Sequence, residues 1–238
     1  MVTQTGKTVR ELVQEKPTAA RVFEKFGIDY CCGGNKSLSE ACLSAGVPKD
    51  NVLAALDKPV STPDDRDWQA APLRELVKHI VEKHHAFTRE EMKRLEPLLA
   101  KVISVHGQNH PELQSVQTIF REVCQELSLH MMKEEQILFP YIVEMETEIN
   151  SKRPLPPAMF GTVQNPVRMM MMEHDSAGQA LCEMSKQTKG YVPPVDACVS
   201  YQTLYDALNA FEKDLHRHIH LENNILFPRA IVMEDQAF

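Results

Sequence analysis

The chain has 238 residues, 26 Lys and Arg against 33 Asp and Glu for a net charge of −7, with 43% hydrophobic and 25% charged residues. That is the composition of a water-soluble globular protein of one or two domains, long enough to bury a core. It excludes a bilayer-spanning protein, since no apolar run nears ~20 residues, and argues against nucleic acid as the main partner, which would call for a Lys/Arg surplus.

The first segment, MVTQTGKTVRELVQEK, has no apolar signal core, so secretion is not expected. Thr8 with Glu11 forms a capping box that predicts a helix over VRELVQEK. Pro17 stands where a second helix, TAARVFEKF, would begin, and Gly27 is placed to end it. After the irregular DYCCGGN, Ser37 with Glu40 caps SLSEACLSA, Gly46 closes it, and Pro48 starts a short helix through Leu56. Residues 58–70, KPVSTPDDRDWQA, combine Pro, Ser and Asp without apolar periodicity and read as a linker.

Beyond the linker the helices lengthen. Leu73, Leu76, Val77, Ile80 and Val81 begin a 3–4 spacing that continues past Met92, Leu95 and Leu99. A second helix is expected from about Pro111 to Glu148, with Leu113, Val116, Ile119, Phe120, Val123 and Leu127 on one stripe. Three prolines between 154 and 157 break it; a third helix follows from Pro166 through Lys186, and a fourth from about Asp196 to Met233. With only nine Gly and 6% aromatic residues, the chain is expected to be all-α. The architecture predicted is an antiparallel four-helix bundle (71–238) preceded by a small helical N-terminal domain (1–57) and the linker (58–70).

The chemistry is carried by a repeat. Residues 130–140 read HMMKEEQILFP and residues 218–228 read HIHLENNILFP, both H-x3-E-x2-I-L-F-P. His130 and His218 stand 88 positions apart, and the upstream pair His85 and His174 stands 89 apart. One helical hairpin therefore occurs twice, each copy giving a His on its first helix and a His-x3-Glu on its second. At ~100° per residue, positions i and i+4 are about 40° apart and one turn along the axis, so both side chains share a face. His85, His130, Glu134, His174, His218 and Glu222 thus make a set of four imidazoles and two carboxylates that suits two metal ions bridged by the carboxylates. Nitrogen and oxygen donors without thiolate favour iron or manganese over zinc. A single His–Glu pair at i,i+4 is an ordinary surface interaction; recurrence in register on four helices makes the metal reading.

Other residues receive plainer readings. His84, about 100° from His85, competes with it for the inward register, and the hairpin spacings of 45 and 44 residues favour His85. His79 faces elsewhere, His216 and His220 lie nearly opposite His218 and are expected to be solvated or to stand behind the ligands, and His106 and His110 are expected at the surface. Glu135 and Glu173 are placed to accept from the outer ring nitrogens of ligand histidines. The four-Met run 169–172 reads as core lining, and Cys42, Cys124, Cys182 and Cys198 as small apolar residues. Six cysteines are too few for a disulfide scaffold and suit a reducing cytoplasm. Adjacent Cys31 and Cys32 diverge too far for an easy mutual bond and sit just ahead of a helix, a setting that lowers thiol pKa.

DYCCGGN at 29–35, followed by HMMKEEQILFP, EHDSAG and HIHLENNILFP, resembles the di-iron "repair of iron centres" family along essentially the whole chain. That resemblance implies a non-haem di-iron centre, oxo-bridged, with His85, His130, Glu134, His174, His218 and Glu222 as ligands. It further implies a cytoplasmic stress protein repairing iron–sulfur clusters damaged by nitric oxide or oxidants, with iron donation as the mechanism and damaged cluster proteins as partners. Cys31 and Cys32 match the family's vicinal pair, for which a role as iron or nitrosyl relay is expected. Oxygen-carrying hemerythrins place a further His four residues after the third-helix ligand; here that position is Gly178. Two alternatives use the same ligands: a nitric oxide reductase, and a sensor or carrier that binds nitric oxide or oxygen without turnover. A homodimer is left open, and neither a membrane nor a nucleic-acid partner is expected.

Overall fold

The computed structural model describes residues 7–16, 19–28, 30, 34–57, 66–155 and 157–237. Cys31, Cys32, Pro17 and most of the expected linker lie outside these residues. Among the described residues the regular structure is helical, and the one bridge pairs Thr8 with Ser37. The described chain forms two compact units: the residues up to Pro72 together with His216–Arg229, and Leu73–Leu215 together with the residues from Ala230 on.

In the first unit, α1 (Val9–Glu15) and α3 (Leu38–Ser44) each start on a complete capping box, Thr8 with Glu11 and Ser37 with Glu40. The two caps are tied together, the Val9 N–H donating to the Lys36 carbonyl at 3.0 Å and the Leu38 N–H to that of Lys7 at 3.2 Å. Helix α2 (Ala19–Lys25) ends before Gly27, whose φ of +65° is the left-handed turn that glycine takes without a Cβ penalty. Helix α4 (Lys49–Leu56) follows Pro48. Val9, Phe23, Tyr30, Leu38 and Val52 fill the core between them. The same unit holds the helical turn Glu222–Leu226, against which α1 packs, and the Arg229 guanidinium donates to the Trp68 carbonyl at 2.7 Å.

The bundle's first rod is α5 (Leu73–His79), a π-helical turn (Ile80–His85) and α6 (Ala86–His106). Its second is α7 (Glu112–Lys133), a π-turn (Glu134–Leu138) and α8 (Phe139–Asn150). The third is α9 (Gln164–Gln187), and the fourth joins α10 (Val199–Leu221), the π-turn Glu222–Leu226 and α11 (Phe227–Asp235). Three of the four long helices predicted therefore carry a π-turn that apolar spacing does not reveal.

Two glutamates serve as caps borrowed from distant helices. Glu146 accepts the backbone N–H of Leu73 at 2.6 Å and of Arg74 at 3.0 Å, satisfying the start of α5. Buried Glu234 accepts the Val163 N–H at 2.9–3.0 Å and the Tyr141 hydroxyl at 2.9 Å at the start of α9.

Several plain readings need correction. Met170 is buried, but Met169 and Met172 are exposed, so the Met run is only partly core. Of the four cysteines read as apolar, Cys42 is buried, Cys124 is half-buried, and Cys182 and Cys198 are exposed. Burial pushes the Cys124 thiol up to about 12. His220 is buried against the Tyr30 ring, 5.5 Å between centroids, and hydrogen-bonds Asn224 at 2.8 Å.

Candidate metal centre

The ligand residues sit on the apolar stripes. On α7 the buried positions are Leu113, Val116, Phe120, Val123 and Leu127, and the same 3–4 alternation next reaches His130. On α9, Val167 and Met170 lead to His174, and Leu181 and Met184 follow. On the fourth rod, Tyr201, Leu204, Leu208, Phe211 and Leu215 lead to His218 and then Glu222, all buried. Each metal donor thus takes a place that a core side chain would otherwise fill, at the point where helix packing removes water.

The π-turns fall at the same level. The Phe139 N–H bonds the Glu134 carbonyl, and the Phe227 N–H bonds that of Glu222, five residues back in both repeats. Pro140 and Pro228 come next and have no N–H of their own. The ring of a proline inside an α-helix also clashes with the carbonyl four residues earlier. Widening the turn by one residue accommodates both, so the I-L-F-P end of each repeat is the sequence signal for a π-turn beginning at the ligand glutamate.

His85, Glu134 and Glu222 are fully buried, with His130, His174 and His218 nearly so. His85 Nε2 lies 3.4 Å from Glu134 Oε2, and His130 Nε2 lies 3.3 Å from Glu134 Oε1. His174 Nε2 stands 2.9 Å from His130 Nε2, and His218 Nε2 stands 2.8 Å from Glu222 Oε1. Two groups emerge in which one donor atom from every member lies within 4.8 Å of the others: His85, Glu134, His218 and Glu222, and His130, Glu134, His174 and Glu222. Both glutamates belong to both groups.

Two of the imidazoles are oriented by carboxylates behind them. His85 Nδ1 donates to Glu135 at 2.6 Å, and Glu135 also accepts from Arg89 at 2.8 Å. His130 Nδ1 donates to Glu173 at 2.8 Å, and Glu173 also accepts from Lys133. Burial opposes ionisation of Glu135 and Glu173, but hydrogen bonds from their histidine and cationic partners outweigh it and hold both carboxyls below the usual range. An imidazole whose Nδ1 is committed in this way presents Nε2 as the ligand atom in a fixed direction. The His85 ring is further steadied by stacking on Phe139, 5.8 Å between centroids and 19° between planes. Arg89 and Lys133 were not singled out in the sequence; their positions four and three residues after His85 and His130 are the available signal.

His84 takes no part in either group. Its Nδ1 bonds Asp214 at 3.0–3.1 Å and its ring meets His79 edge-on. Gly178, one turn after His174, is buried and adds no donor. Cys31 and Cys32 lie outside the described residues. The donor set of imidazole and carboxylate, dry and without thiolate, fits iron.

Buried imidazoles and shared carboxylates on the rods of a helical bundle define a cation-binding protein of the hemerythrin type. The chain belongs to the hemerythrin HHE cation-binding family: the family model described as "Hemerythrin HHE cation binding domain" matches residues 76–230. A second model, "Domain of Unknown function (DUF542)", matches residues 5–59. The chain is similar to "Iron-sulfur cluster repair protein YtfE" of Escherichia coli O81 (strain ED1a) and of Escherichia coli O157:H7. Each is 36% identical over 224 residues, covering 94% of this chain and 96% of the relative. The protein of the same name from Escherichia fergusonii matches at the same identity and coverage. Among the described residues no helix is long and apolar enough to cross a membrane.

Proposed function

We propose that the chain is a cytoplasmic di-iron protein that restores iron–sulfur clusters damaged by nitric oxide or oxidants, with iron donation as its mechanism. The observation that carries the metal part is the membership of Glu134 and Glu222 in both four-residue groups. Two ions sharing two carboxylates account for that pattern, with His85 and His218 serving one ion and His130 and His174 the other. The repair part rests on the iron–sulfur cluster repair proteins to which nearly the full chain is similar. The proposed cofactor is two non-haem iron ions joined by an oxo bridge.

When bound, the iron supplies redox and Lewis-acid chemistry with room for a small ligand such as nitric oxide or oxygen. The chain's own contribution is to hold it. Glu135 and Glu173 fix two of the imidazoles, the stripes of Leu, Val and Phe exclude water, and Gly178 withholds the extra imidazole that an oxygen carrier would add. In this reading residues 1–57 and 71–238 are distinct working parts joined by 58–70, and Cys31 and Cys32 relay iron or nitrosyl groups to and from protein clients, for which thiolates are suited.

The test pairs metal content with repair. Glu134→Ala and Glu222→Ala should each bring iron well below two per chain and abolish reactivation of a nitric-oxide-damaged aconitase-type enzyme. Two tightly held irons in both variants would overturn the ligand assignment. Full iron in the wild type without any reactivation, but with turnover of nitric oxide by an external donor, would replace repair with reduction.

A further inference from the structure

Behind the proposed ligands, two ion pairs carry the hydrogen bonds of buried imidazoles on towards the surface, and they are not built alike. Arg89, on α6, stands one turn after His85, and Glu135 directly follows the ligand Glu134. His85 Nδ1 donates to Glu135 Oε1 at 2.6 Å, and the Arg89 guanidinium donates to the same oxygen at 2.8 Å. In the second pair, Glu173 directly precedes the ligand His174. His130 Nδ1 donates to Glu173 Oε2 at 2.8 Å, whereas the Lys133 ammonium donates to the opposite oxygen, Oε1. Arg89 and His85 thus share one acceptor atom, while Lys133 and His130 divide a carboxylate between them.

We propose, on the di-iron assignment above, that Arg89 is a positioning residue that makes the two iron positions unequal. The first electron to enter the centre then settles on the iron held by His85. The step is a one-electron reduction of one ferric ion to ferrous, supplied by an external one-electron donor such as dithionite. No bond of the protein is made or broken in it.

A carboxylate behind a ligating imidazole fixes the ring and raises its basicity towards the metal. The second effect depends on how much negative charge the accepting oxygen keeps for the ring N–H. A guanidinium is permanently charged, and here it draws on the very oxygen that faces His85. Two donors on one oxygen also stand closer together than donors on opposite oxygens, which brings the Arg89 charge nearer to its imidazole. Both effects act in one direction. His85 gives its metal less electron density than His130 does, and the more electron-poor ferric ion is the easier one to reduce. The shorter His85 bond holds its ring in place, but the charge on its oxygen is already shared. An isolated pair on a free surface would be screened and contribute little. Here the carboxylates are only 27% and 31% exposed, and both are turned onto histidines of the centre.

The test is made on full-length protein loaded with Mössbauer-active iron and reduced by one electron per centre. Isomer shifts separate ferrous from ferric iron, and wild type should show one doublet of each in equal areas. Methionine keeps the apolar stem of a long cationic side chain while removing its charge and donors. Lys133→Met should leave the ferrous doublet in place and change the ferric one. Arg89→Met should change both, because the electron no longer prefers the iron at His85. It should also lower the ratio of reduced to oxidised protein at a fixed potential about tenfold, the lower end for loss of an outer contact at a metal site. Lys133→Met should lower that ratio clearly less. Each variant removes one positive charge, so the difference between them excludes a general effect of net charge. Arg89→Lys, which keeps the charge, should recover most of the ratio. Two identical irons in half-reduced wild type, equal effects of the two methionine variants, or a ferrous doublet that moves in Lys133→Met alone overturns the proposal and leaves the di-iron assignment standing. Fewer than two irons per chain in fully loaded wild type overturns both.

Discussion

Ile80 lies on the buried stripe of the first rod, and α-helical spacing from it leads four residues on to His84, not to His85. The π-turn Ile80–His85 inserts one residue, with the Ala86 N–H reaching back five places to the Val81 carbonyl. That single step carries the stripe to His85, and His84 turns to Asp214 instead. His85→Ala should therefore change the iron spectrum and lower iron content, whereas His84→Ala should cost stability with the spectrum nearly intact. The two variants, read by absorption and Mössbauer spectra at equal protein concentration, separate these roles; the reverse pattern would reassign the ligand. The duplicated hairpin spacing pointed to His85 in the sequence because both copies must meet at one level. What the sequence hid was the cause, since a π-turn without proline leaves no mark on apolar periodicity. The contacts of His106 with Cys198 and of His110 with Asp196 were hidden for a different reason. Their partners are set by how α6 and α10 end against each other, and loop residues carry no period from which that can be read.

At the scale of elements, the repeat H-x3-E-x2-I-L-F-P works as one unit. Its histidine and glutamate share a face, its Leu and Phe are buried on both rods, and its proline marks the end of the π-turn. Helix existence and order were legible from apolar spacing and capping residues, so Thr8 and Ser37 head their helices as expected. The long-range caps were not legible. Glu146 lies 73 residues from Leu73, and Glu234 lies 71 from Val163, and nothing local distinguishes either from a solvated glutamate. Glu234 is buried and accepts from both a backbone N–H and the Tyr141 hydroxyl; partial burial of the phenol, with Glu234 beside it, pushes the phenol up to about 12. Removing it leaves the buried Val163 N–H without its acceptor. Glu234→Ala should then cost about 2–3 kcal/mol, the usual range for stripping a charged acceptor from buried donors, and lower the melting temperature by roughly 5–10 °C in a chain of this size. Glu234→Gln, which keeps one carbonyl acceptor, should lose clearly less. Equal melting temperatures for wild type and Glu234→Ala in a thermal scan would show that the cap contributes nothing.

At the scale of the whole molecule, the compact units do not follow the order of the chain. Residues His216–Arg229, including two proposed ligands, fold with α1 to α4 rather than with the segments on either side of them. Within that unit α1 packs on the turn Glu222–Leu226, and Tyr30, the residue before Cys31, packs its buried ring on His220. A protein cut down to the bundle would strip these partners from a ligand-bearing turn, so the role of the cysteine pair has to be tested in the full-length chain. Cys31→Ser, Cys32→Ser makes the smallest change, exchanging sulfur for oxygen and leaving Tyr30 and the core of α1 to α4 in place. The six nitrogen and oxygen donors of the proposed centre require no thiolate, so the double variant should keep two irons per chain and an unchanged Mössbauer spectrum. Thiols ionise far more readily than hydroxyls, so a cysteine side chain accepts iron and nitrosyl groups far better than a serine does at neutral pH. Reactivation of a nitric-oxide-damaged aconitase-type enzyme should accordingly fall several-fold relative to wild type at equal iron loading. Reactivation at the wild-type rate would remove the pair from the repair chemistry and leave the histidine–glutamate centre to act alone.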